Sequence, residues 1–243
     1  MTFVASQHRA EARTGPVGAH WPGPRTRYDA MPAGVHDALF EAAGIVPGDR
    51  VLDVGCGAGA TTRIAARLAA PGHAVGVDVS APLLERARAS TAAEGIDNVS
   101  YVCADARVHP FPAGGYDVVV SRGAVMLFAG HAAAFRRLAR ALRPGGRLAF
   151  VCPRPPGPRR EDPERVREVL AGFAEVTVEP VTMEAPWGRD VPGTTVEFLL
   201  SPLPGGALPA SRLAGPEEVL LPFAAGSRAR MRAGAWLVTA VRP

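Results

Sequence analysis

An α/β fold, with a mostly parallel sheet and helices on both of its faces, is predicted for this chain by three observations. Short apolar runs alternate with segments of helical period through residues 35–182. The first three of these runs each stop at a carboxylate, Asp53, Asp78 and Asp105. The first also opens into a glycine turn, Gly55-Cys-Gly-Ala-Gly59, followed by a helix, the arrangement in which a strand feeds a tight turn and lets a ligand approach bare backbone. With 243 residues and 47% hydrophobic content, the chain suits one domain with an adequate core and room for a substrate cover.

The elements follow in order. A helix is predicted over Val35–Ala43, then a strand ending at Asp53, then a helix from Thr61 to Leu68 whose N-terminal N–H groups face the same crevice as the glycines. The second strand is His73–Ser80, where Ser80 is placed to cap a helix with Pro82 in its first turn and Leu83, Leu84 and Ala87 on one face. The third strand is Val99–Asp105 and the fourth Tyr116–Arg122, followed by a helix carrying Phe135, Leu138 and Leu142 at helical spacing. A turn, Arg143-Pro-Gly-Gly146, leads to the fifth strand, Arg147–Pro153. Asp162-Pro163 starts a helix with Val166, Val169 and Leu170 inward, a sixth strand covers Glu175–Val181, and the last is Ala235–Val241. Residues 1–34, rich in Gly, Pro, Ala and Arg, form an irregular N-terminal arm and possible lid. Residues 35–243 are then a single domain, with 183–234 as a substrate-side insertion. There is no internal repeat.

The chemistry of the crevice is set by its carboxylates. Gly55-x-Gly57-x-x-Ala60 also fits a dinucleotide fingerprint, but Asp53, two residues before the first glycine, would repel a pyrophosphate and welcome a cation. Asp78, 23 residues beyond Gly55, stands where an acidic side chain meets ribose hydroxyls in nucleotide-binding sheets.

Five segments, Val51-Leu-Asp-Val-Gly-Cys-Gly-Ala-Gly59, Gly76-Val-Asp-Val-Ser80, Cys103-Ala-Asp-Ala106, Tyr116-Asp-Val-Val-Val-Ser121 and Leu142-Arg-Pro-Gly-Gly-Arg-Leu148, occur in one order and spacing. In these the chain resembles the class I S-adenosylmethionine (SAM) dependent methyltransferases, and among them the small-molecule branch that decorates natural products. The resemblance implies a Rossmann-like seven-stranded sheet whose last strand is antiparallel and lies between the fifth and sixth. It also implies SAM as cofactor and a small-molecule acceptor. Carried onto this sequence, Asp53 with Gly55, Cys56 and Gly57 would hold the methionine end and Asp78 the ribose diol. Asp105 with Ala106 would meet the adenine, Val79 and Leu83 would pack on its face, and Ser121 would lie near the methionine portion.

Composition excludes several other classes. All 27 basic residues are Arg, a compositional bias beside the 24 Pro and 27 Gly, and the net charge of +4 comes without a dense basic run or interleaved aromatics, so no nucleic-acid partner is expected. Cys56, Cys103 and Cys152 form no close pair and no zinc spacing; they read as small buried hydrophobes in a reducing compartment. No metal site is expected, and no apolar run approaches membrane length, so a cytoplasmic location is expected.

A sulfonium methyl is already activated, so such an enzyme mainly aligns the acceptor and excludes water. A general base would help with a phenol, an alcohol or an acidic carbon. His20, His109 and His131 are candidates by position, but His109 and His131 read as surface or capping histidines and His20 as a solvent-exposed one, and no catalytic residue is assigned. Met126, Leu127 and Phe128 fit either a substrate wall or local core packing. One departure stands out: the segment after the fifth strand, Pro153-Arg-Pro-Pro-Gly-Pro-Arg-Arg160, is short and proline-dominated. The arm and residues 183–215 would then supply the cover, or the acceptor is large and partly exposed, or methyl transfer has been lost. Alternatives are therefore an enzyme of the same fold that catalyses a step such as cyclisation, and a non-catalytic binding protein.

Overall fold

The computed structural model describes residues 33–125, 131–153, 163–187 and 229–243. Its elements are α1 (Ala33–Ala43), β1 (Arg50–Val54), α2 (Ala60–Ala69), β2 (His73–Asp78), α3 (Ala81–Ala93), β3 (Val99–Cys103), β4 (Tyr116–Arg122), α4 (His131–Ala141), β5 (Leu142–Pro153), α5 (Pro163–Val169), β6 (Ala174–Trp187) and β7 (Ala229–Val241). The strands form one seven-stranded sheet in the order β3-β2-β1-β4-β5-β7-β6. Strands β1 to β5 pair in parallel, and β7 runs antiparallel to both β5 and β6.

A parallel sheet must be covered on both faces, and the alternation of side chains along each strand shows how this is done. On one face Leu52, Val54, Val119, Leu148 and Phe150 join Phe135 and Leu138 of α4 and Val166 of α5. The Phe135 and Phe150 rings lie 5.5 Å apart. On the other, Val51, Val118, Val120, Ala149 and Val151 meet Val35, Leu39 and Phe40 of α1 and Ala65, Ala66 and Ala69 of α2. Each fully buried Leu or Phe contributes about 1.5–3 kcal/mol through area removed from water. The small alanine face of α2 lets that helix lie close to the sheet, which brings its N-terminal turn directly behind the glycine loop.

Arg147 ties the start of β5 to the end of α1. Its guanidinium donates to the Ala43 and Gly44 carbonyls, each at 3.0 Å, and pairs with Asp49 at 2.9 Å. Carbonyls that the helix end leaves open are thereby satisfied.

The structure adjusts several sequence expectations. Ser80 stands at the N-cap of α3 but makes no side-chain cap bond; its N–H instead donates to Asp78 at 2.9 Å. The Arg143–Gly146 turn lies inside the bounds of β5, as a register shift against β4 between Tyr116 and Val118. There Gly145 takes φ +72° and exchanges backbone hydrogen bonds, together with Gly146, with Arg242. Cys103 is exposed, while Cys56 and Cys152 are buried as expected. The reason is topological: β3 is an edge strand, which only one neighbour covers. Strands β6 and β7 pair as far as Trp187 and Ala229, so they extend into the interval 183–234 from both ends. The arm, Met126 to Phe128, the proline segment after Pro153, and the centre of the insertion lie outside the described residues.

Candidate functional site

The C-terminal ends of β1, β2 and β4 meet at the glycine loop, and each contributes a polar side chain. Gly55 and Gly57 both take positive φ, +72° and +54°, where a Cβ is strained. They differ in what surrounds them. A Cβ on Gly55 would come within 2.0 Å of the Ala124 Cβ, whereas a Cβ on Gly57 would meet nothing within 4 Å. Gly55 is thus fixed by protein packing, and Gly57 borders open space. The loop is pinned to β2 by Gly55 and Cys56 N–H groups donating to the Val77 carbonyl.

Asp53 is the most unusual group in the site. It is 1% exposed; Oδ2 accepts a 2.7 Å hydrogen bond from Thr62 Oγ1, and Oδ1 is buried without a partner. Burial pushes its carboxyl up to about 7, against the opposing pull of the Thr62 hydroxyl and the Arg122 cation, with Asp78 adding to the rise. A buried oxygen without a donor is costly, so this carboxylate is built to meet a cationic or hydrogen-bonding group. Cys56 beside it is buried too, and that burial, with the neighbouring carboxylates, keeps its thiol protonated.

Asp78 does more than its sequence position implies. Oδ2 accepts from Gly57 N–H and Oδ1 from Ser80 N–H, both at 2.9 Å. It therefore shapes the glycine loop and the start of α3 at once, and each oxygen retains a second acceptor direction. Val79 is exposed and Leu83 is half-buried beyond it, leaving an apolar surface beside Asp78.

Asp105 is engaged by its own neighbour. Arg107 donates to both carboxylate oxygens through Nε at 2.9 Å and to Oδ2 through Nη2 at 2.6 Å, and this holds Asp105 below the usual carboxylate range. Ala106 packs into the core below. Ser121 is wholly buried, and its hydroxyl donates to the Val54 carbonyl at 2.8 Å, so it supports the loop from beneath. His109 lies edge-on to Phe111, with ring centroids 4.8 Å apart. Among the described residues, no three or more His, Cys, Asp or Glu side chains gather at metal-binding distance. None of the helices there is long and apolar enough to cross a membrane.

Three contributors were missed in the sequence. Thr62 reads as an ordinary helix residue, Arg122 as the end of a strand, and His36 as one polar residue on an amphipathic helix. Only the fold brings them to one place: His36 of α1, itself buried, meets Arg122 through Nε2 and Nη1. No local pattern links residues 86 positions apart.

Such a sheet order, with an antiparallel β7 between β5 and β6, and a glycine loop flanked by two acidic strand ends, calls for comparison with known proteins. Residues 51–146 match the family model described as a methyltransferase domain. Over that stretch the chain is similar to methyltransferase domains. The chain is 39% identical over 136 residues to nocamycin O-methyltransferase of Saccharothrix syringae, covering 54% of this chain and 49% of the relative. It is 37% identical over 116 residues to aklanonic acid methyltransferase DauC of Streptomyces sp. strain C5, covering 47% and 53%. The chain thus spans about half the length of these relatives. In fold it resembles Haemonchus contortus phosphoethanolamine N-methyltransferase 2, solved in complex with S-adenosyl-L-methionine, at a TM-score of 0.61 and 22% identity over 88% of this chain and 54% of that one.

Proposed function

We propose that this chain is a SAM-dependent methyltransferase that moves a methyl group to a small-molecule acceptor, a natural-product intermediate. The observation that carries the reading is Asp53 Oδ1, a buried and unpartnered acceptor at the mouth of the glycine loop, in a stretch similar to methyltransferase domains. The two relatives named for nocamycin and aklanonic acid support a natural-product acceptor.

The residues present fit the cofactor. Asp53 would take its ammonium, and Gly55, Cys56 and Gly57 would offer backbone to the methionine end. Asp78 would receive the ribose hydroxyls on the acceptor directions that Gly57 and Ser80 leave. Val79 and Leu83 would cover one face of the adenine; Asp105, shared with Arg107, and Ala106 would border its edge, while Ser121 holds the loop in place. When bound, SAM supplies a methyl group on a positively charged sulfur. The protein's own work is then to orient the ligand on the strand ends, to keep water from the crevice and to present the acceptor in line. Mass spectrometry of S-adenosylhomocysteine formed with candidate phenols and carboxylic acids tests the reading. Product formed only in the presence of acceptor is expected; SAM bound but never turned over with any acceptor would turn the reading to a non-methylating enzyme of the same fold.

A further inference from the structure

Strands β6 and β7 outrun the rest of the sheet. β5 stops at Pro153, opposite Ala235 of β7, yet β6 and β7 go on pairing for six more rungs, from Thr182 and Gly234 to Trp187 and Ala229. Because β5 runs parallel to β4 and β1, the two strands leave the sheet at the edge that holds the glycine loop, as a ribbon about 20 Å long. Among the described residues no third strand pairs with it. A two-stranded ribbon is marginally stable in water unless one of its faces is covered.

The register gives this ribbon two unlike faces. Residues two apart share a face, so Met183, Ala185 and Trp187 fall together with Ala233, Met231 and Ala229, which stand opposite them. All six are apolar. The alternate rungs set Thr182, Glu184 and Pro186 against Gly234, Arg232 and Arg230, with Glu184 directly opposite Arg232. Such period-two alternation marks strands covered on one face only. The apolar face continues that of Val181 and Ala235, which belong to the core beneath α1 with Val35 and Leu39.

The occupant of that face follows from where the chain enters the fold. α1 ends at Ala43, whose carbonyl is tied to Arg147 at the start of the β5–β7 pairing. Its first residue, Ala33, therefore lies toward the other end of these strands, where the ribbon departs. With 11 residues, α1 is about 16 Å long, against about 20 Å for β5 from Arg147 to Pro153, so the helix stops short of the ribbon. The 32 residues that precede Ala33 join the fold on the same face, beside the apolar rungs. An extended chain spans about 3.3–3.6 Å per residue, which brings Tyr28, five residues before Ala33, and Trp21, twelve before, within reach of the whole ribbon. A tethered segment meets such a face at high effective concentration, ahead of a second copy.

We infer that residues 21–32 dock on the apolar face of the β6–β7 ribbon, with Trp21 and Tyr28 as the apolar anchors of the docked segment. The ribbon thereby holds the arm at the rim of the ligand edge. This docking is independent of which ligand the crevice takes.

Hydrogen–deuterium exchange of the full chain tests it, with sedimentation velocity alongside. In a monomeric wild type, residues 21–32 and both ribbon strands should be protected. Met231→Glu, which puts a charge on the apolar face, should speed exchange in residues 21–32 by at least about tenfold, a loss of about 1.4 kcal/mol of local stability, while β1 and β4 keep their wild-type rates. Arg230→Ser, on the opposite face, should leave the arm unchanged, and Met231→Leu should keep its protection. From the other side, Trp21→Ser combined with Tyr28→Ser should speed exchange in residues 182–187; this pair decides the matter if Met231→Glu fails to fold. Arm exchange that Met231→Glu leaves unaltered, or a ribbon indifferent to the arm substitutions, overturns the inference. A dimer that Met231→Glu dissociates, with the arm unprotected throughout, also overturns it and assigns the face to a second copy.

Discussion

Two buried groups of the site titrate in opposite senses. The Asp53 carboxyl rises from 3.8 to about 7, chiefly through burial. The native state therefore holds a proton that the unfolded chain releases, and stability present below about pH 4 is lost as pH climbs to 7. His36 falls from 6.5 to about 4, so its contribution is full above pH 6.5 and is lost as pH falls to 4. In wild type the two slopes oppose each other. Asp53→Asn, which copies the protonated shape, should unmask the His36 slope: chemical denaturation from pH 4 to 6.5 should show stability rising more steeply than in wild type. An unchanged profile would mean that Asp53 is ionised throughout. Asp78 is the other residue with a sharp expectation. Charge-assisted hydrogen bonds are worth roughly 1.5–3 kcal/mol, so Asp78→Ala should weaken SAM by at least about tenfold. Because Asp78 also bonds Gly57 and Ser80, the same change should loosen the loop. Asp78→Asn keeps one acceptor but turns an amide toward a backbone donor, and should lie between wild type and Ala in titration calorimetry.

At the scale of the elements, the glycine loop separates a packing role from a binding role. Gly55→Ala forces a Cβ against Ala124 in addition to its positive φ, so melting should show a lowered midpoint. Gly57→Ala carries only the cost of positive φ, about 1 kcal/mol, and places its methyl in open space. Its melting midpoint should stay closer to wild type while SAM affinity drops; equal midpoints with equal affinities in both variants would refute the division. The strands around this loop were legible because Val51–Val54 and Tyr116–Arg122 are apolar runs ending at turn residues, and because Asp53 and Asp78 sit at strand ends where a local pattern reveals them. The bulge inside β5 was not, since it depends on the pairing of Gly145 and Gly146 with Arg242, almost a hundred residues away. Nor was the pair formed by Asp105 and Arg107: a charge two residues from another reads as turn chemistry until the backbone curls them together.

For the molecule as a whole, the order β3-β2-β1-β4-β5-β7-β6 places β1 and β4 side by side, which makes a cleft at their C-terminal ends. This topology followed from the resemblance carried by five ordered motifs. The polar cluster of His36, Arg122, Asp53 and Thr62 did not, because it is assembled from α1, β4, β1 and α2 by packing alone. Fold by itself leaves the function open; the unpartnered Asp53 oxygen and the two acidic strand ends point to a cationic adenosyl ligand over a pyrophosphate cofactor. Isothermal calorimetry of the full chain against SAM, S-adenosylhomocysteine and NAD is the most direct test. Saturable binding of both adenosyl ligands, with no response to NAD, is the predicted result; tight NAD binding without a response to either adenosyl ligand would contradict it.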